Sequence, residues 1–171
     1  MMFDIGDIVV YPHHGAGSIA DIVERERDEG VCSYYVIRML HTDMTVMVPV
    51  GGSDRAGLRA VSSEETMEQA LNVLREDATA MPANWNHRIR HNRDKIGSGD
   101  VLEIAGVLRN LAVRDHDKGL STGEKQMYEK VRRILASEVM CAKGMQEDDA
   151  LGLLDGVLAE VCTNFDRRGA E

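Results

Sequence analysis

Residues 82–95, PANWNHRIRHNRDK, hold the chain's only tryptophan, Trp85, followed closely by Arg88, Arg90, Arg93 and Lys95. An indole beside guanidinium groups suits a nucleic acid. The cations neutralise phosphates, while the planar apolar ring wedges into a base step or stacks on an unpaired base. The neighbours Asn84, Asn86, His87 and Arg88 are polar and Pro82 lies just upstream, so Trp85 is expected near a helix start and facing solvent. The competing reading is a partly buried indole that pins two helices. Other candidate constellations are weaker. His13 and His14 lie in a glycine-rich turn, HHGAG, with no acid or cysteine at ligand spacing and no lysine of a phosphate loop, so they read as structural. His87 and His91 share helical spacing, but Arg88 stands where a zinc helix would place glutamate, and the surrounding arginines repel a cation. The stretch GSGD at 97–100 is explained by a helix stop and a following cap. Cys32, Cys141 and Cys162 are far apart, form no C-x-x-C and are odd in number, which points to packed thiols. No catalytic group, metal or cofactor is expected.

Charge gives the tryptophan segment a context. The net charge is −9, but it is unevenly placed. Residues 1–81 hold six Lys and Arg against fourteen Asp and Glu, residues 82–133 hold eleven against seven, and the remainder holds three against eight. A basic island between acidic flanks implies a local contact with a polyanion and little general affinity for one; the plain alternative is a solvated helix face.

The elements that must position these residues fall into two groups. DIVVY (7–11), GSIADIVER (17–25), CSYYVIRML (32–40), MTVMVPV (44–50) and GLRAV (57–61) are short Val-, Ile- and Tyr-rich segments separated by turn chemistry. Five strands in so few residues predict a small, strongly bent barrel, since a flat sheet would leave long exposed edges. From Ser62 the period changes. Ser62 and Glu65 form a capping-box pattern ahead of a helix with Met67, Ala70, Leu71 and Leu74 on one face. A polar break around Pro82 marks a boundary, then a helix runs from Trp85 to Ile96. Ser98 is the expected cap of the next helix, with a stripe of Val101, Ile104, Ala105, Val107, Leu108 and Leu111. Ser121 and Glu124 open a long helix ended by Gly144, and a last helix spans roughly Glu147 to Phe165. The expected fold is α+β in two domains: a β domain over 1–62, a connecting helix and linker over 63–81, an all-helical domain over 82–165 and a tail over 166–171. The length and aliphatic content suit a globular protein. The acidic opening MMFDIGD and the absence of a long apolar run predict a cytoplasmic protein with no membrane span.

The stretches FDIGDIVVYPHHGAGSI, NWNHRIRHN, GSGDVLEIAGVLRNL and DKGLSTGEKQMYEKVRRILASEV occur in an order that closely resembles the CarD family of bacterial transcription regulators, also called CdnL. The resemblance implies a Tudor-like N-terminal barrel that binds the β subunit of RNA polymerase by adding sheet edge to sheet edge. Met44, Thr45, Val46, Met47, Val48 and Pro49 would then be the docking strand, and Arg25 matches a family polymerase contact. Met47 stands where other members have arginine, which implies an apolar substitute or a weaker local interface. The resemblance further implies that the helical domain binds promoter DNA at the upstream edge of the melted region, with Trp85 wedged into the minor groove. Arg90 occupies a position that is basic in members, and Lys125 matches a family DNA contact. Arg88 and Arg93 join this DNA-binding set from proximity and charge. The implied protein is a non-enzymatic monomer that stabilises the open complex, localised to the cytoplasm and the nucleoid through polymerase. The alternative function is an adaptor that binds polymerase and another regulator without touching DNA, for which Trp85 should be buried.

Overall fold

A computed structural model of the chain describes residues 2–170. Its N-terminal part is one antiparallel sheet of five strands, β1 (Ile8–Tyr11), β2 (Gly15–Arg27), β3 (Gly30–Met39), β4 (Thr45–Pro49) and β5 (Arg59–Ala60), in the spatial order β4-β3-β2-β1-β5. All five apolar segments of the sequence become strands. Alternation turns Val9, Ile19, Tyr35, Ile37 and Val48 onto one side, where Phe3 and Leu58 complete a single apolar cluster. The register breaks between Ile19 and Asp21, a bulge that bends β2. The barrel is open, with β4 and β5 as its two edges.

Five helices follow: α1 (Glu64–Arg75), α2 (Trp85–Gly97), α3 (Val101–Asp117), α4 (Thr122–Lys143) and α5 (Glu147–Gly169). The expected apolar stripe of α3 is buried throughout, together with Val131, Ile134, Leu135 and Val139 of α4 and Leu154, Leu158 and Val161 of α5. Met67, Ala70, Leu71 and Leu74 belong to the same cluster, so α1 packs as part of the helical core rather than as a free connector.

Three boundaries differ from the sequence expectation. The cap of α1 is Ser63, whose hydroxyl accepts from the Thr66 amide, because the neighbouring Ser62 amide is bound to the Glu138 carboxylate at 3.0 Å. The cap of α3 is Asp100, which accepts from the Leu102 amide. Ser98 instead donates to the Lys95 carbonyl at 2.6 Å and closes α2, with left-handed Gly99 reversing the chain between them. Helix α5 continues past Phe165 to Gly169, where Arg167 and Arg168 complement the negative end of its dipole, so 166–169 are helical rather than tail. The capping box at Ser121 and Glu124 and the left-handed stop at Gly144 are present as expected.

The sheet sits directly on α4. The Ala16 amide donates to Ser137 Oγ at 3.0 Å, and a side chain at Gly15 would place a Cβ 2.7 Å from that same oxygen. Arg59 grips buried Glu138 with two bonds of 2.8 Å and donates through Nε to the Gly99 carbonyl at 3.0 Å. Burial pushes the Glu138 carboxyl upward, but the bonds from Arg59 and Ser62 outweigh it and hold the group below the ordinary glutamate range. These contacts fix the orientation of the two domains.

Candidate nucleic-acid interface

Trp85 is the first residue of α2, which Asn84 caps by accepting from the His87 amide at 3.1 Å. The indole is 48% exposed. It lies over Gly123, where an added Cβ would sit 3.7 Å from the ring, and its Nε1 donates to Ser121 Oγ at 3.0 Å. That hydroxyl also accepts from the Glu124 amide and donates to Glu124 Oε2 at 3.1 Å. One donor and two lone pairs are thereby all used. The capping box of α4 thus tethers the tryptophan of α2. Glu124 itself is buried, held by the Ser121 amide at 3.0 Å and by Arg88 Nε at 2.5 Å. Burial raises its carboxyl, but the bonds from Arg88 and Ser121 prevail and keep it lower than usual.

Arg88 therefore departs from the sequence expectation. It is 4% exposed, and besides Glu124 it binds the Pro82 and Ala83 carbonyls. Arg88, Asn92 and Ile96 recur at four-residue intervals and form the inward stripe of α2. Its charge is neutralised inside the protein, which takes it out of the surface set expected from the sequence.

Arg90, Arg93 and Lys125 are exposed. Among the described residues, no ion pair involves them or Lys130, whereas Arg59, Arg109, Arg132 and Lys143 all have carboxylate partners. A shallow hollow of about 490 Å³ is lined by Asn84, Trp85, Asn86, His87, Ile89, Arg90 and Arg93. Beside it a second hollow of about 330 Å³ is walled by His13, Arg93, Gln126 and Lys130 over Ile96, Gly123 and Met127. Arg93 borders both hollows, and neither lining includes a carboxylate. Lys130 was not among the residues singled out from sequence, although Gly123, Met127 and Lys130 recur at helical spacing and bring it to the same side of α4 as the glycine under the indole.

The strand expected to dock a partner is an edge. In an antiparallel ladder, hydrogen-bonded and non-hydrogen-bonded pairs alternate. The Met39 amide donates to the Met44 carbonyl and the register pairs Arg38 with Thr45 and Val36 with Met47. The amides of Thr45 and Met47 thus point away from the sheet, and Pro49, which has none, shares their parity. Met44 and Met47 are 48% and 40% exposed, while Val48 is buried and Val46 packs against the β-domain core. The rows Asp21–Val36–Met47 and Val23–Tyr34–Pro49 place Arg25 on the same face as Met47 and Pro49, one step beyond the end of β4. Among the described residues no group of three or more His, Cys, Asp or Glu could hold a metal, and no helix is long and apolar enough to cross a membrane.

A small open barrel with an exposed edge strand is locked onto a helical domain that presents a tethered indole among exposed cations, which defines a two-domain α+β protein. Residues 3–62 match the CarD-like/TRCF RID domain and residues 69–155 match CarD, C-terminal domain; the chain belongs to the CarD family. It is 36% identical over 146 residues to the Bacillus subtilis (strain 168) protein named "Putative transcription factor YdeB", an alignment spanning 85% of this chain and 95% of that relative.

Proposed function

We propose that this protein is a non-enzymatic transcription regulator that bridges the RNA polymerase β subunit and promoter DNA and stabilises the open complex. The β4 edge, with Arg25 on the same face, docks on polymerase by strand addition: the outward amides of Thr45 and Met47 supply main-chain bonds and the exposed side chains select the partner. Trp85 wedges into the minor groove at the upstream end of the bubble, and Arg90, Arg93 and Lys125 neutralise nearby phosphates. A wedge that fits parted strands better than closed duplex shifts the equilibrium by the difference in affinity, with no covalent step. Polymerase tethering raises the effective DNA concentration, so a small basic patch suffices on a chain of net charge −9. Such a protein works in the cytoplasm, on the nucleoid, as a monomer.

The observation that supports this reading best is the half-exposed indole beside cations that have no ion-pair partner among the described residues. Its exposure also favours DNA over the adaptor alternative, which calls for a buried ring. Footprinting of polymerase on a promoter tests the reading. Addition of the protein should extend protection at the upstream bubble edge, and replacing Arg90 and Lys125 by Glu should remove that extension. An identical footprint with and without the protein would favour the adaptor.

A further inference from the structure

Of the second hollow's lining only Arg93 enters the DNA contact proposed above, and the composition of the hollow is unusual for a protein of this charge. Three elements from two domains meet there: the β1–β2 turn supplies His13, α2 supplies Arg93, and α4 supplies Gln126 and Lys130. His13 has a φ of 67°, a left-handed backbone that a non-glycine residue rarely holds. Its ring lies against the last residue of α2, where a side chain at Gly97 would bring a Cβ within 2.7 Å of Nε2, so glycine is needed there for the imidazole to enter. Lys130 and Arg93 face this imidazole with no carboxylate partner among the described residues, and His14 beside it is stacked on Tyr11. Two cations facing one imidazole with no anion between them disfavour its protonated form. A bound anion offsets that effect.

We propose that this hollow is a phosphate-binding subsite in which Arg93, Lys130 and His13 together hold one backbone phosphate of the DNA, so that the barrel and the helical domain grip the nucleic acid jointly. The identity of the phosphate as DNA rests on the function proposed above. Gln126 can donate an additional neutral hydrogen bond. Burial, then Lys130, His14 and Arg93, all lower the His13 imidazole from its ordinary value. A phosphate reverses the balance and favours the imidazolium, so binding takes up a proton.

Side-chain NMR of the full chain tests this, following the His13 ring during pH titrations in chloride, in inorganic phosphate at matched ionic strength, and with a short promoter duplex. Phosphate and duplex should each raise the His13 midpoint, and exposed Lys130→Gln should abolish the phosphate-induced rise. The same substitution should reduce the slope of log affinity against log salt, by at most about 0.9, the share of one phosphate contact. Unchanged midpoints in both anions would overturn the subsite. A duplex that binds, with the His13 midpoint and the Lys130→Gln slope unchanged, also overturns it while leaving the wedge function standing. A response to inorganic phosphate with none to the duplex overturns the DNA assignment and identifies a site for free phosphate.

Discussion

Arg88 offers the sharpest separation between charge read along the sequence and charge read in space. Its side chain is 4% exposed and that of its partner Glu124 is 2% exposed, at 2.5 Å. Arg88→Met leaves the buried carboxylate with only Arg114 Nε, at 3.8 Å, as a cation, where orphaning a buried charge outright costs about 3–5 kcal/mol. The low end applies here. Glu124 keeps its bonds to Ser121, and the Pro82 and Ala83 carbonyls released by the substitution are close enough to solvent to be rehydrated. A loss of about 3 kcal/mol corresponds to a melting temperature lower by roughly 6–12 °C for a protein of this size. Arg90→Met, which removes an exposed arginine with no ion pair among the described residues, should stay within about 0.5 kcal/mol of wild type. Pairing Arg88→Met with Glu124→Gln removes the under-neutralised charge and should restore at least half of the lost stability, about 1.5 kcal/mol. Urea denaturation of the four proteins measures all of these terms. If Arg88→Met were as stable as wild type and instead reduced the salt dependence of DNA binding, the arginine would be facing nucleic acid and the inward assignment would be refuted.

Three further perturbations probe other parts of the structure. Ser121→Ala removes a helix cap, costing about 1 kcal/mol, and frees the indole; since Trp85 is the only tryptophan, faster depolarisation of its fluorescence should report the release, and unchanged anisotropy would mean that the tether is unimportant. Met47→Pro deletes an outward-pointing amide without touching the ladder, so stability should hold while polymerase affinity falls several-fold, the effect of losing about 1 kcal/mol of hydrogen bonding; unchanged affinity would exclude strand addition at β4. Glu138 and Glu124 both have carboxyls held below the ordinary value of 4.5, so their contribution to stability is complete above that pH and is lost as pH falls through the folded-state values. Melting temperatures should therefore drop on acidification below about pH 4.5, and Glu138→Gln should start lower at pH 7 and decline less steeply; parallel curves would contradict the role of the Arg59 pair.

Patterns that depend on neighbours in sequence were legible. Short apolar runs rich in Val, Ile and Tyr and bounded by turn residues marked the strands, and apolar stripes marked α3, α4 and α5, because burial enforces the period of each helix. The Ser121 and Glu124 box was legible because its two residues satisfy each other. Ser62 and Ser63 were not distinguishable, since the choice between them depends on Glu138, far away in the chain. Arg88 and Arg90 are two residues apart and point to opposite environments; an arginine-rich stretch does not reveal which member faces a buried carboxylate on another helix. The meeting of His13 with Arg93 and Lys130 is likewise a product of the domain contact, and no local spacing announces it. Exposure of Trp85 followed from its polar flanks, whereas its tether to Ser121 required the packing of α2 on α4.

The lifetime of the open complex after challenge with a competitor, measured with wild-type and Trp85→Ala protein, tests the central claim most directly. The substitution removes a half-exposed ring outside both apolar cores, so fold and polymerase binding should persist. The lifetime extension given by wild-type protein should be largely lost with the variant. An equal extension from the two proteins would contradict the wedge.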